Sequence, residues 1–103
     1  MIINFNREVN DFNDIIKKSD KVLVDFHAKW CGPCRMLAPV LEELSEDLPE
    51  LTILKVNVDE HSELAAKFHI TAIPTMIEFK NKAQVNIFRG FLSKEDLELE
   101  LKK

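Results

Sequence analysis

The chain has 103 residues, of which 46% are hydrophobic and 31% charged, as expected of one globular domain over residues 1–103 with a core of its own. Fourteen basic residues against eighteen acidic ones give a net charge of −4, which disfavours nucleic acid and anionic membrane as partners, since both take a basic surface. No apolar run is long enough to cross a bilayer, and the first residues lack the basic and apolar stretches of a secretory signal. A cytoplasmic setting is therefore expected, where a cysteine pair is more often catalytic or metal-binding than a structural crosslink.

Ile2 to Phe5 reads as a short strand, and Asn10 is placed to cap a helix over Asp11–Lys18 with Phe12, Ile15 and Ile16 facing inward. Lys21 to His27 (KVLVDFH) is a mostly apolar, β-branched run of the kind buried on both faces of a sheet. After Trp30 the period changes. Leu37, Val40, Leu41, Leu44 and Leu48 form one stripe of a helix, with Pro39 inside it as an expected kink. Thr52 to Val58 is a second buried-type strand, and Asp59 is placed to cap a helix carrying Leu64, Ala65 and Phe68. Thr75 to Lys80 and Gln84 to Arg89 are strand-like, with Asn81 to Ala83 short enough for a hairpin. Ser93-Lys94-Glu95-Asp96 resembles a capping box that opens a last helix with Leu97 and Leu101 one turn apart. The order β-α-β-α-β-α-β-β-α predicts an α/β fold, a mixed central sheet of about five strands with about four helices on both faces.

Trp30-Cys31-Gly32-Pro33-Cys34 falls where the second strand hands over to its helix. Unpaired N–H groups and the macrodipole at a helix start favour an anion, so a thiol there loses its proton more easily, and the thiolate is the nucleophile. Cys34 comes one turn later, within reach of a mixed disulfide formed on Cys31. Gly32 leaves a tight turn and an exposed sulfur at Cys31, and Pro33 suits the first helical turn. The implied chemistry is thiol–disulfide exchange. A structural crosslink is disfavoured because a two-residue loop constrains little chain. Zinc is disfavoured because His27, His61 and His69 do not follow the usual histidine spacing, which leaves His61 and His69 as ordinary helix and loop polars. Asp25, inside Val-Leu-Val-Asp-Phe, is expected to be buried with a raised pKa. That makes it a candidate acid–base group toward Cys34, directly or through a water; an outward-facing polar on an edge strand is the alternative.

Together these stretches resemble the thioredoxin family. The matching segments are Val22-Leu23-Val24-Asp25-Phe26, Trp30-Cys31-Gly32-Pro33-Cys34-Arg35-Met36, Ala38-Pro39, Lys55-Val56-Asn57-Val58-Asp59, Ile73-Pro74-Thr75, Phe79-Lys80-Asn81 and Gly90, and they span nearly the whole chain. The resemblance implies that Cys31 attacks, that Cys34 resolves, and that Pro74 is a cis-proline whose loop faces the cysteines. It implies a docking surface of Trp30, Gly32, Pro33, Ile73, Pro74 and Gly90, and by analogy places Lys55 beside Asp25 as a partial counter-charge. It also implies disulfide-containing client proteins and a flavin-dependent, NADPH-using thioredoxin reductase as electron donor. No bound cofactor is needed, because the cysteines themselves hold the two electrons. A monomer is expected. A binding module whose groove matters more than its thiols is the competing reading, and an oxidase or isomerase of the same fold is a third.

Three positions depart from the family pattern. His27 stands where bacterial thioredoxins usually carry tryptophan, either as a packing substitution or as a titrating neighbour on the Asp25 face. Phe91 replaces a small residue after the glycine, where it crowds or greases the docking groove. Lys82 stands where glycine usually completes an Asn-Gly turn, so a two-residue turn puts lysine at positive φ at a cost of about 1 kcal/mol, and a slightly longer loop is the alternative.

Overall fold

The computed structural model describes residues 1–103. In chain order the elements are β1 (Ile2–Asn4), α1 (Phe12–Lys18), β2 (Lys21–His27), α2 (Gly32–Asp47), β3 (Thr52–Asn57), α3 (Ser62–Lys67), β4 (Thr75–Lys80), β5 (Ala83–Arg89) and α4 (Lys94–Leu101). The strands form one sheet in the order β1-β3-β2-β4-β5. β3 runs parallel to β1 and β2, which crossover helices require, while β4 is antiparallel to both β2 and β5.

β2 is central, and its residues Val22 to Phe26 are all buried. The pleat sends them alternately to two cores. Val22, Val24 and Phe26 join Phe12 and Ile16 of α1, with Phe68 packed alongside. Leu23 joins Leu37, Leu41 and Leu44 of α2 and Leu97 and Leu101 of α4. Asp25, in step with Leu23, therefore faces the α2 side. α2 runs unbroken with Pro39 inside it.

Several boundaries differ from the sequence reading, each for a local reason. The first and third strands end one residue earlier, at Asn4 and Asn57, and the fifth begins one earlier, at Ala83. Asp11 rather than Asn10 caps α1, its Oδ1 accepting the Asp14 N–H at 3.1 Å. Asn10 Oδ1 instead accepts the Asn6 N–H at 3.0 Å and closes the preceding loop. Both side chains have the chemistry of a cap, and one residue of chain path decides between them. α3 begins after His61 without any side-chain cap, and Asp59 does not cap it. His61 is itself buried. Its Nδ1 lies 3.2 Å from the Arg7 guanidinium and its Nε2 3.2 Å from the Phe5 carbonyl oxygen. Arginine can only donate, so Nδ1 accepts and the Nε2 proton goes to Phe5. His61 thus ties α3 to the segment after β1 and is not the plain surface polar expected.

The hairpin turn has two residues, Asn81 at φ 50° and Lys82 at φ 76°, between the paired residues Lys80 and Ala83. Lysine occupies the left-handed region anticipated for it.

Candidate active site

β2 ends at His27, and after a short turn the chain enters α2 with Cys31 as the N-cap (φ −88°, ψ 111°). Extended backbone at that position aims Cys31 Sγ back over the first helical turn, where it accepts the Cys34 N–H at 3.2 Å. A sulfur thus occupies the place of a capping oxygen, where the helix dipole and an unpaired donor both stabilise negative charge. Cys31 and Cys34 are joined as a disulfide, their Cα atoms 5.2 Å apart. Pro33 falls in the first turn of the helix, where it forfeits no hydrogen bond.

Two expectations at the motif need correction. Cys31 is not exposed: only 5% of it is accessible, because Ala28 and Cys34 pack with it, backed by Val58 and Ile73. The Ile73 carbonyl oxygen lies 3.8 Å from Cys31 Sγ. Gly32 does not relieve a tight turn either. A Cβ there would meet nothing within 4 Å and its φ is not positive, so what glycine supplies is an unobstructed approach.

Asp25 is 2% exposed, and its Oδ1 has no hydrogen-bond partner. It is not the outward-facing polar of the alternative reading. Burial pushes its pKa up to about 6, with the Lys55 ammonium pulling the other way. Lys55 is directly opposite on β3, and Met76 is opposite on β4. Cross-strand partners share a face, so Lys55 sits with Asp25 on the side covered by α2, the helix that carries Cys34. His27, two residues along β2, is half-buried. Burial lowers its pKa, Lys55 lowers it further and Glu60 opposes.

Beside the cysteines, Trp30 is 68% exposed yet tethered: its Nε1–H donates to Asp59 Oδ2 at 2.9 Å. Asp59 is held in turn by its own N–H, which donates to Asn57 Oδ1 at 2.9 Å. The indole walls an apolar groove of about 310 Å³ with Val58, Ala65, Ile70 and Ile73. Sequence reasoning missed Asp59 in this role because an aspartate just ahead of a helix reads as a cap. The Ile73–Pro74 peptide bond is cis. Gly90, at φ 86°, donates its N–H to the Pro74 carbonyl at 2.8 Å, which ties the end of β5 to this loop. Thr75 Oγ1 donates to the Ala72 carbonyl at 2.7 Å and braces the other side. Trp30, Gly32, Pro33, Ile73, Pro74 and Gly90 are all brought to one end of the sheet around the disulfide. His27 ends β2 while His61 and His69 flank α3, and no three His, Cys, Asp or Glu side chains gather into a metal-binding group.

A family model described as thioredoxin matches residues 4–103. The thioredoxin of Alicyclobacillus acidocaldarius is 48% identical over 92 residues, covering 88% of each chain. The thioredoxin of Staphylococcus saprophyticus is 51% identical over 89 residues, covering 85% of each. Among solved structures, oxidised mitochondrial thioredoxin 3 of Saccharomyces cerevisiae superposes with a TM-score of 0.87 at 33% identity, over 98% of this chain and 93% of that one.

Proposed function

The chain belongs to the thioredoxin family and is a protein-disulfide reductase, and we propose the following roles for its residues. In the reduced protein Cys31 is the attacking thiolate. It forms a bond to one sulfur of a client disulfide, the client S–S bond breaks, and the departing client sulfur leaves with the electron pair and takes up a proton. Cys34 then attacks Cys31 Sγ, the mixed disulfide breaks, and the second client sulfur leaves. Two electrons pass to the client, and Cys31–Cys34 closes as an intramolecular disulfide. The observation that carries this reading is Cys31 Sγ at the N-cap of α2, accepting the Cys34 N–H and bonded to Cys34.

Asp25 is the proton acceptor for Cys34, directly or through a water. Its burial, its unpartnered oxygen and its position on the α2 face support that role, and a pKa of about 6 leaves it ionised yet basic at neutral pH. Lys55 moderates its charge. Trp30, Gly32, Pro33, Ile73, Pro74 and Gly90 form the surface on which the client backbone lies. A flavin-dependent thioredoxin reductase using NADPH returns the electrons, so no bound cofactor is needed; residues 1–103 act as one domain, as a monomer in the cytoplasm.

Reduction of insulin disulfides by dithiothreitol tests the reading. The chain should accelerate it, Cys31→Ser should abolish the acceleration, and Cys34→Ser, reduced beforehand and mixed with insulin after the dithiothreitol is removed, should accumulate a mixed disulfide visible by mass. Identical thiol-trapped masses of the reduced chain before and after insulin would overturn it.

A further inference from the structure

Strand order sets three features in a row at one end of the sheet. Phe26 of β2 pairs with Thr75 of β4, and Thr75 pairs with Arg89 of β5. The chain leaves β2 toward Trp30 and Cys31, enters β4 from Ile73 and Pro74, and leaves β5 toward Gly90 and Phe91. Neighbouring strands are about 4.8 Å apart, so Phe91 stands roughly one strand beyond Pro74, on the side away from Trp30. The Gly90 N–H bond to the Pro74 carbonyl at 2.8 Å fixes that spacing.

Phe91 belongs to neither of the two large core clusters. It is 41% exposed, whereas Phe88 and Leu92 on either side pack against the α2/α4 core. Trp30 and Met36, which flank the disulfide in sequence, are 68% and 62% exposed, and Phe91 is a further exposed apolar side chain at this end of the sheet.

We propose that Phe91 selects clients that carry a neutral apolar or aromatic side chain two residues from the reacting cysteine. An extended client chain advances about 3.3 Å per residue and returns to the same face every second residue. A client whose cysteine is bonded to Cys31 at the Ile73 carbonyl, and whose chain crosses the strand ends from β4 toward β5, presents its second neighbour about 7 Å away, on the Phe91 side. The inference rests on the exchange reading given under the proposed function.

The test uses heptapeptides with a central cysteine capped as the thionitrobenzoate disulfide. Thionitrobenzoate is the better leaving group, so the reduced protein attacks the peptide sulfur and releases a coloured thiolate. Phe, Ser or Asp is placed two residues before or two after the cysteine. The intact chain should react about fivefold faster with Phe than with Ser at one of the two positions, the worth of removing roughly 40 Å² of apolar surface from water. Asp should be no better than Ser. Phe91→Leu should keep most of the preference and Phe91→Ala should reduce it below about twofold. Each ratio is taken within one variant, so a general loss of activity cancels. Equal rates for Phe and Ser at both positions, a preference for Asp, or an unchanged ratio in Phe91→Ala would overturn the assignment to Phe91 while leaving exchange intact. Failure of the reduced chain to react with dithiobis-nitrobenzoate as well as with every peptide would remove the exchange reading, and the selectivity with it.

Discussion

Replacing Asp25 by asparagine removes the buried charge while keeping the side-chain shape. In the folded chain burial raises the Asp25 pKa from 3.8 to about 6. An acid with a raised folded pKa binds its proton more tightly folded than unfolded. Its ionisation therefore costs nothing below pH 3.8, a growing amount as pH rises, and the full amount above pH 6. The shift of about 2 units corresponds to about 3 kcal/mol at pH 8, Lys55 included. The asparagine amide is also buried without an assured partner, a pH-independent penalty of about 1–3 kcal/mol. The pH dependence therefore carries the test, not the stability at any single pH. Urea unfolding of the oxidised wild-type chain and Asp25→Asn, measured from pH 3.5 to 8, should give a stability difference that moves in the mutant's favour by about 3 kcal/mol over that range. Other titrating groups are common to both proteins and cancel. A difference that stays constant with pH would refute the claim that Asp25 ionises in a desolvated site, and with it the case for Asp25 as the proton acceptor.

Three further outcomes follow from particular side chains. Lys82 holds φ at 76°, so Lys82→Gly should stabilise the fold by about 1 kcal/mol in the same melts; a loss of stability would mean the lysine side chain makes a compensating contact. Trp30 is the only tryptophan and is tethered to Asp59, so Asp59→Ala should lower its fluorescence anisotropy and raise KM for insulin more than it lowers kcat; an unchanged anisotropy would mean the bond does not hold the ring. His27 has its pKa lowered by burial and by Lys55, away from the range in which a thiol titrates. Alkylation of Cys31 in the reduced chain should show the same pH profile between pH 7 and 9 in wild type and His27→Trp, and a profile displaced along the pH axis would restore the titrating role.

Chain-local chemistry made much of this molecule legible. Lys21–His27 and Thr75–Lys80 were readable to the residue because β-branched runs between turn residues have few alternatives as buried strands. The leucine stripe of α2 and the Ser93 cap of α4, whose Oγ accepts the Asp96 N–H at 3.1 Å, follow from spacings of three and four residues. Burial of Asp25 was equally local, since a carboxylate inside an apolar strand shares its neighbours' environment. Cap choices were less legible, because Asn10 and Asp11, or Asp59 and His61, offer similar local chemistry and differ only in what lies across space from them.

The sequence alone therefore determined the order of elements, the two-faced sheet, the cysteine pair at a helix start and the buried acid on the central strand, because each depends on residues within a few positions of one another. Tertiary structure alone decided that Cys31 is covered rather than open, that Asp59 holds Trp30, that His61 bridges Arg7 and Phe5, and that Gly90 is bonded to Pro74. Those contacts join segments tens of residues apart. They come into being only when the five strands lie side by side in the order β1-β3-β2-β4-β5, and strand order is a property of the folded sheet that no local pattern encodes.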